Sequence, residues 1–174
     1  MTTYVTYNRK GNTMAVREKN TLTVDLPLDT EIVLRRTFDA PRDLVWEAFT
    51  KPEHLIHWWG PRNTTVVSCI LEPRPGTTWR IVLRDADGDE IGFGGEVLEV
   101  TPPERFVWTF GHDGMPGEPG PEELLLEERN GKTYVTTRST FPNKEVRDAV
   151  LQSGMQKGAA ESYDRLEERL ATLV

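Results

Sequence analysis

A long amphipathic helix is predicted at the end of the chain, where apolar and small residues recur at steps of three and four. At 100° per residue these positions fall on one stripe of a helix. The stripe consists of Leu151, Met155, Ala159, Ser162, Tyr163, Leu166, Leu170 and Leu173. Asn143 is a suitable N-cap, and an unbroken helix from Lys144 to Leu173 would be about 45 Å long at roughly 1.5 Å per residue. Such a helix needs a broad apolar surface on which to pack.

The middle of this stripe is small, because Gly154, Gly158, Ala159 and Ser162 carry little or no side chain. Each glycine inside a helix costs about 1 kcal/mol relative to alanine, so two of them need a reason. One interpretation is a close approach of the helix to a sheet, or a bend at Gly154. The other is that the small side chains leave an internal cavity. The sequence favours neither.

Alternating apolar positions upstream of the helix predict a sheet. The predicted strands are Glu31–Phe38, Thr64–Glu72, Thr77–Arg84, Ile91–Val100, Arg105–Phe110, Glu123–Arg129 and Lys132–Thr140, with Thr21–Val24 as a short additional candidate. Asp87-Gly88 and Asn130-Gly131 are typical of hairpin turns. The glycine- and proline-rich segment His112–Pro121 is predicted to be a loop.

Two short helices are predicted after the first strand. Pro41 suits the first turn of a helix that ends near Thr50. A second helix, Glu53–Trp59, is closed by Gly60-Pro61. Since the remaining links are short, neighbouring strands must be antiparallel. The sequence therefore predicts an α+β fold, in which a curved antiparallel sheet of about six or seven strands surrounds the long C-terminal helix.

Length and composition set limits on domain organisation and partners. The 174 residues suit one domain, which we place at residues 21–174; the polar residues 1–20 show no sustained period and are predicted to be a flexible extension. Acidic residues (28) outnumber basic ones (21) and the pI is about 5.1, which argues against nucleic-acid binding. Nothing resembles a signal peptide or a membrane span, so we expect a cytoplasmic protein.

Few residues suggest chemistry. Cys69 is the only cysteine and lies in an apolar run, so we expect a buried structural thiol. His54 and His57 have a spacing that can hold zinc, but nothing completes a ligand set, so we expect neither a metal nor a cofactor. Arg36 and two glutamates, Glu96 and Glu99, could face a cavity, although such residues more often face solvent. We assign no catalytic residue, and the sequence favours a protein that is not an enzyme.

Aromatic residues from separate elements are the better indication of a site. Aromatic walls with few polar groups suit an apolar or flat ligand. Together with the small helix positions, they form the predicted ligand-binding set: Trp58, Trp59, Trp79, Phe93, Trp108, Phe110, Met155, Gly158, Ala159 and Ser162. The alternative is that the aromatic rings simply fill the core.

Several segments together carry a family resemblance. They are Arg36–Pro41, Val45–Thr50, Pro52–His54, Trp58–Pro61, Pro75–Trp79, Gly95–Val100, Pro102–Arg105 and Ser162–Leu166. These segments resemble the SRPBCC (START-like) superfamily and, within it, proteins similar to the C-terminal domain of the activator of heat-shock-90 ATPase. The resemblance spans about residues 21–174 and implies the helix-grip fold, with a cavity between the sheet and the C-terminal helix. Many members have Gly-Trp in that helix, where this chain has Gly158-Ala159.

The resemblance implies function only broadly, because the superfamily includes lipid and hormone binders, aromatic cyclases, resistance proteins and a co-chaperone. We expect the domain to bind a small hydrophobic or aromatic molecule in its cavity. The first alternative is a chaperone-associated or regulatory protein-interaction module. A cyclase or hydrolase that uses the same cavity is a third hypothesis.

Overall fold

The computed structural model describes residues 21–115 and 117–174, so the predicted flexible extension lies outside the described residues. The strands are β1 (Thr23–Asp25), β2 (Glu31–Phe38), β3 (Thr65–Ile70), β4 (Thr78–Arg84), β5 (Glu90–Thr101), β6 (Arg105–His112), β7 (Gly120–Arg129) and β8 (Lys132–Thr140). The helices are α1 (Arg42–Thr50), α2 (Pro52–Leu55), α3 (Lys144–Gln152) and α4 (Met155–Leu173). Helices and strands both occur in the segments where the hydrophobic pattern predicts them.

The strands form one antiparallel sheet in the order β1-β2-β8-β7-β6-β5-β4-β3. The predicted α+β class is therefore confirmed. The predicted count of six or seven strands is too low, because the described part of the sheet has eight. The additional strand is the short segment β1, in which Thr23 lies opposite Arg35 of β2. The two short helices consequently follow the second strand of the sheet and not the first.

The predicted C-terminal helix is divided in two at Gly154. Asn143 caps α3 as predicted, with its side-chain oxygen accepting a hydrogen bond from the Val146 backbone N–H at 2.9 Å. Gly154 has a φ of +84°, a left-handed backbone conformation that residues other than glycine rarely adopt. The bend considered at this position is confirmed, and α4 alone carries the buried part of the stripe.

Helix α2 is shorter than predicted. It ends at Leu55, and residues 56–59 form turns in which the Trp58 and Trp59 N–H groups both donate to the Leu55 carbonyl. Gly60 then reverses the chain with φ of +94°. This change of direction places the tryptophan pair between the sheet and α4.

The core lies between the concave face of the sheet and the helices. Fully buried residues from each layer include Phe38, Val45, Ile81, Leu126 and Leu166. An ion-paired cluster also fixes α4 to the sheet: Arg36 on β2 donates to Asp164 at 2.7 Å and to Glu167 at 2.8 Å. The Arg36 side chain is 1% exposed, so this contact is part of the interface between helix and sheet.

Close strand contact explains one of the glycines in β5. A Cβ atom on Gly95 would lie 2.0 Å from the Thr109 carbonyl oxygen of β6, so no side chain fits there. The register shift between β5 and β6 lies further on, between Val97 and Glu99. Among the described residues, no helix has both the length and the apolar composition needed to cross a membrane.

Candidate ligand-binding cavity

A cavity of about 790 Å³ lies between the sheet and the two C-terminal helices. Its lining comes from β2, β4, β5, β6, β7 and β8 on one side and from α3 and α4 on the other. All ten residues of the predicted ligand-binding set line it. That they contact a ligand stays a prediction, but the fold brings them together as the prediction requires.

Trp59 is at the centre of the aromatic wall. Its ring centroid lies 6.2 Å from that of Trp79, 6.1 Å from Trp108 and 6.2 Å from Phe110. Trp79 and Trp108 stack on each other at 4.2 Å with their planes 17° apart. The rings therefore form one continuous aromatic surface.

The aromatic residues divide into two groups by exposure. Trp58, Trp79 and Trp108 are 1%, 2% and 6% exposed, so they fill the core and offer little surface to a ligand. Trp59, Phe93 and Phe110 are only half-buried although they line the cavity. The core-filling interpretation therefore suits the first three, whereas the other three retain surface for a ligand.

The helix side of the cavity explains the small residues. A Cβ atom on Gly158 would meet only Pro61 Cγ, at 3.7 Å, and no atom of the sheet within 4 Å. Close packing against the sheet is therefore not the reason for Gly158. Ala159 and Met155 line the same space from the neighbouring turn. The small stripe borders a cavity at this point.

Ser162 has a structural task in addition to its place in the lining. Its side-chain oxygen accepts a hydrogen bond from the Gly60 N–H at 2.9 Å. Nearby, Arg165 donates to the carbonyls of Gly60 at 2.9 Å and Pro61 at 3.1 Å. These bonds fix the loop after Trp59 to α4. The role of Arg165 could not be predicted from the sequence, because no spacing rule indicates it.

Glu122 is the main polar residue of the lining that the sequence analysis missed. Trp108 Nε1 donates to its Oε1 at 3.1 Å, and Ser139 Oγ donates to its Oε2 at 2.7 Å. Both donors are its direct cross-strand neighbours. Glu122 is half-buried and lines the cavity, and burial raises the pKa of its carboxyl above the usual value.

The signal that would have found Glu122 is the alternation of β7. Glu122 shares a face with Leu124 and Leu126, which are 7% and 1% exposed. The predicted strand began at Glu123, whereas β7 begins at Gly120. Extending the strand by two or three residues places Glu122 on the buried face.

Tyr163 adds a second buried polar group. Its hydroxyl lies 2.9 Å from Thr137 Oγ1, and burial raises the pKa of the phenol to about 12. The side chain is therefore neutral at physiological pH. It also packs edge to face against Phe38 at 5.8 Å, so it belongs to both the core and the lining.

The remaining chemical candidates lie elsewhere. Arg36 is ion-paired with α4 outside the cavity lining, and Glu96 and Glu99 face solvent. His54 Nδ1 lies 3.3 Å from a guanidinium nitrogen of Arg169, and within the described ranges no group of three or more metal-ligating residues occurs. Cys69 is half-buried, and burial raises the pKa of its thiol to about 11, which makes it a poor nucleophile.

Two comparisons relate the chain to known proteins. Residues 39–171 match the model of a family described as "Activator of Hsp90 ATPase homolog 1-like protein". Among solved structures, a Rhodobacter sphaeroides protein is 29% identical to this chain, with a TM-score of 0.83. The match covers 88% of this chain and 99% of that protein.

A Nitrosomonas europaea protein is 25% identical over 84% of this chain and 97% of its own, with a TM-score of 0.76. The AHSA1 protein of Silicibacter pomeroyi is 21% identical, with a TM-score of 0.69, over 83% of this chain and 99% of its own. At this identity the likeness supports the fold alone. The comparison with curated proteins finds no match.

Proposed function

Because this chain belongs to the Activator of Hsp90 ATPase homolog 1-like family of the START-like (SRPBCC) superfamily, we propose that it binds a small hydrophobic or aromatic molecule in the cavity between sheet and helix. The fold of this superfamily commonly binds hydrophobic ligands or acts as a regulatory module. The cavity favours the first of these two functions.

The observation that carries the proposal is the size and lining of the cavity. Its volume of about 790 Å³ falls within the range of roughly 300–1,000 Å³ that is usual for small-molecule sites. Trp59, Phe93 and Phe110 keep accessible surface toward it. Leaving that apolar surface in contact with water is unfavourable, so an apolar ligand would gain free energy by covering it.

Filling the cavity from the helix side tests the proposal. Ala159→Phe adds a ring to a lining position of α4, so it should abolish saturable binding of the uncharged dye N-phenylnaphthylamine while the domain stays folded. Overpacking a closed core would instead cost about 1–3 kcal/mol or more. Dye fluorescence, tryptophan quenching and the melting temperature should be measured on the same samples.

Ala171→Phe is the matched control, since Ala171 is an exposed residue of the same helix. We expect it to bind the dye as the wild type does. The proposal is wrong if the wild type shows no saturable binding, or if Ala159→Phe leaves binding unchanged.

A regulatory protein-interaction module is the alternative, and one surface feature favours it. Strand β3 is at an edge of the sheet, where Ile70 is 62% and Val67 38% exposed. An apolar edge strand can add a strand from a partner. The family's name makes a heat-shock-90 chaperone the first partner to test, by pull-down and ATPase assay.

A cyclase or hydrolase within the same cavity is a third hypothesis, which product analysis with aromatic polyketide and ester substrates would test.

A further inference from the structure

Glu122 is a carboxylate held inside an aromatic cavity. Its two oxygens accept one hydrogen bond each, from Trp108 Nε1 and Ser139 Oγ. A carboxylate offers about four lone-pair positions, so acceptor capacity remains. Over residues 21–115 and 117–174, no basic side chain lies within ion-pair distance of it. Neither hydrogen-bond donor is charged, so the protein leaves the carboxylate without a counter-charge.

The two basic side chains among the described lining residues, Arg80 and His112, both contact Asp113 at the rim of the cavity. Arg80 pairs with Asp113 at 2.7 Å, and His112 Nδ1 donates to the Asp113 carbonyl at 2.8 Å. The lining otherwise contributes two further carboxylates, Glu118 and Glu122. In the described part of the lining, three carboxylates therefore face one guanidinium, which disfavours an anionic ligand.

The neighbouring aromatic rings favour a cation as well. Trp59, which keeps accessible surface toward the cavity, lies 6.1 Å from Trp108, the ring that donates to Glu122. The faces of tryptophan and phenylalanine carry negative quadrupole potential and attract organic cations, most strongly where water is excluded. A half-buried carboxylate without a counter-charge, beside such a ring, supplies both parts of a recognition site for an ammonium group.

We propose that the cavity selects an organic cation, an amine or quaternary ammonium group carried on an apolar body, with Glu122 as its counter-charge and the aromatic wall around it. The apolar body would cover Trp59, Phe93 and Phe110, and the ammonium group would lie toward β7. This inference rests on the proposed ligand-binding function and specifies the chemical class of ligand.

Three probes of nearly the same shape test it. They are phenylbutyl-trimethylammonium, its uncharged isostere with a tert-butyl group in place of trimethylammonium, and 5-phenylpentanoate as the anion. Isothermal titration calorimetry at low and high salt gives Kd for each. We expect the cation to bind about tenfold or more tightly than the neutral isostere, and the anion to bind least. The preference should persist at high salt, because partly buried charges are screened much less than exposed ones.

Glu122→Gln keeps the shape and removes the charge, so it should abolish the preference for the cation and change the Kd of the neutral probe by less than about twofold. Glu127→Gln is the matched control, since Glu127 is an exposed residue of the same strand outside the lining, and its loss should change every Kd by less than about twofold. Circular dichroism confirms that each variant is folded.

The outcomes separate this inference from the proposed function. If the neutral probe binds as tightly as the cation, or if Glu122→Gln leaves the preference intact, the inference is overturned and the ligand-binding function stands. If none of the three probes binds saturably to wild-type protein that still binds the uncharged dye, this inference alone is overturned. If the dye does not bind either, both are overturned.

Discussion

At the scale of single residues, Glu122 is a carboxylate that the sheet holds against Trp108 and Ser139 while burial raises its pKa. A carboxyl whose pKa is higher in the folded than in the unfolded state contributes stability below its unfolded pKa. That contribution is lost as pH rises through the folded pKa. Glu122 therefore contributes less to the stability of the unliganded domain at neutral pH than it does in acid.

Glu122→Gln should accordingly raise the free energy of unfolding at pH 7, because the amide carries no charge to bury. We expect this gain to exceed the roughly 0.5 kcal/mol within which substitutions of exposed residues usually stay. The amide oxygen can still accept from Trp108, and its NH₂ can donate to Ser139. Urea denaturation between pH 4 and 8 should show the gain shrinking toward the acid end.

Glu127→Gln is the control for this experiment, since Glu127 is an exposed residue of the same strand with a long contact of 3.4 Å to Arg129. Its effect should stay within about 0.5 kcal/mol at every pH. A destabilised Glu122→Gln at pH 7, or a gain independent of pH, would contradict the burial argument.

The sequence predicted the aromatic residues of the site but not this carboxylate. Trp79, Phe93 and Trp108 lie on alternating strand positions, which a period of two identifies. Glu122 follows the same alternation, but it lies one residue before the predicted strand, which begins at Glu123. The end of a strand depends on its pairing with neighbouring strands, and Glu122 pairs with Trp108 and Ser139. Such pairs cannot be read from a single sequence.

At the scale of elements, the two glycines of the C-terminal region have opposite roles. Gly154 adopts a left-handed conformation that ends α3, whereas Gly158 lies inside α4 beside open space. The sequence predicted both a bend at Gly154 and a cavity as possible reasons for the small residues. Choosing between them for each glycine required backbone torsions and the position of Pro61, which depend on tertiary contacts.

Alanine at each glycine should therefore change stability in opposite directions. Gly154→Ala places a Cβ in the left-handed region and should cost about 1–2 kcal/mol. Gly158→Ala meets only Pro61 at an ordinary contact distance and should gain up to about 1 kcal/mol from helix propensity. Thermal denaturation resolves these changes, since about 1 kcal/mol shifts the melting temperature of such a domain by roughly 2–4 °C. A loss of stability in Gly158→Ala equal to that of Gly154→Ala would mean that the helix packs closely on the sheet.

At the scale of the whole molecule, the α+β class and the antiparallel order follow from alternating segments joined by tight turns. Asn130 and Gly131, for example, both have positive φ in the hairpin between β7 and β8, as a two-residue turn requires. The volume of the cavity could not be predicted, because the same small residues serve a closed interface or an open space. It depends on how far α4 stands from the sheet, which contacts such as Arg36 with Asp164 determine.

The proposed function requires that a small molecule occupies the space between the sheet and α4. The five tryptophans make a direct measurement possible, since Trp58, Trp59, Trp79 and Trp108 line the cavity and Trp46 lies in the core outside the lining. Titration of ¹⁵N-labelled protein with the uncharged dye should shift the indole N–H resonances of the cavity tryptophans, Trp59 most, in a saturable way. The Trp46 resonance should stay in place. Saturable shifts that spare Trp59, or no saturable shift of any indole resonance, would show that no ligand binds in this cavity.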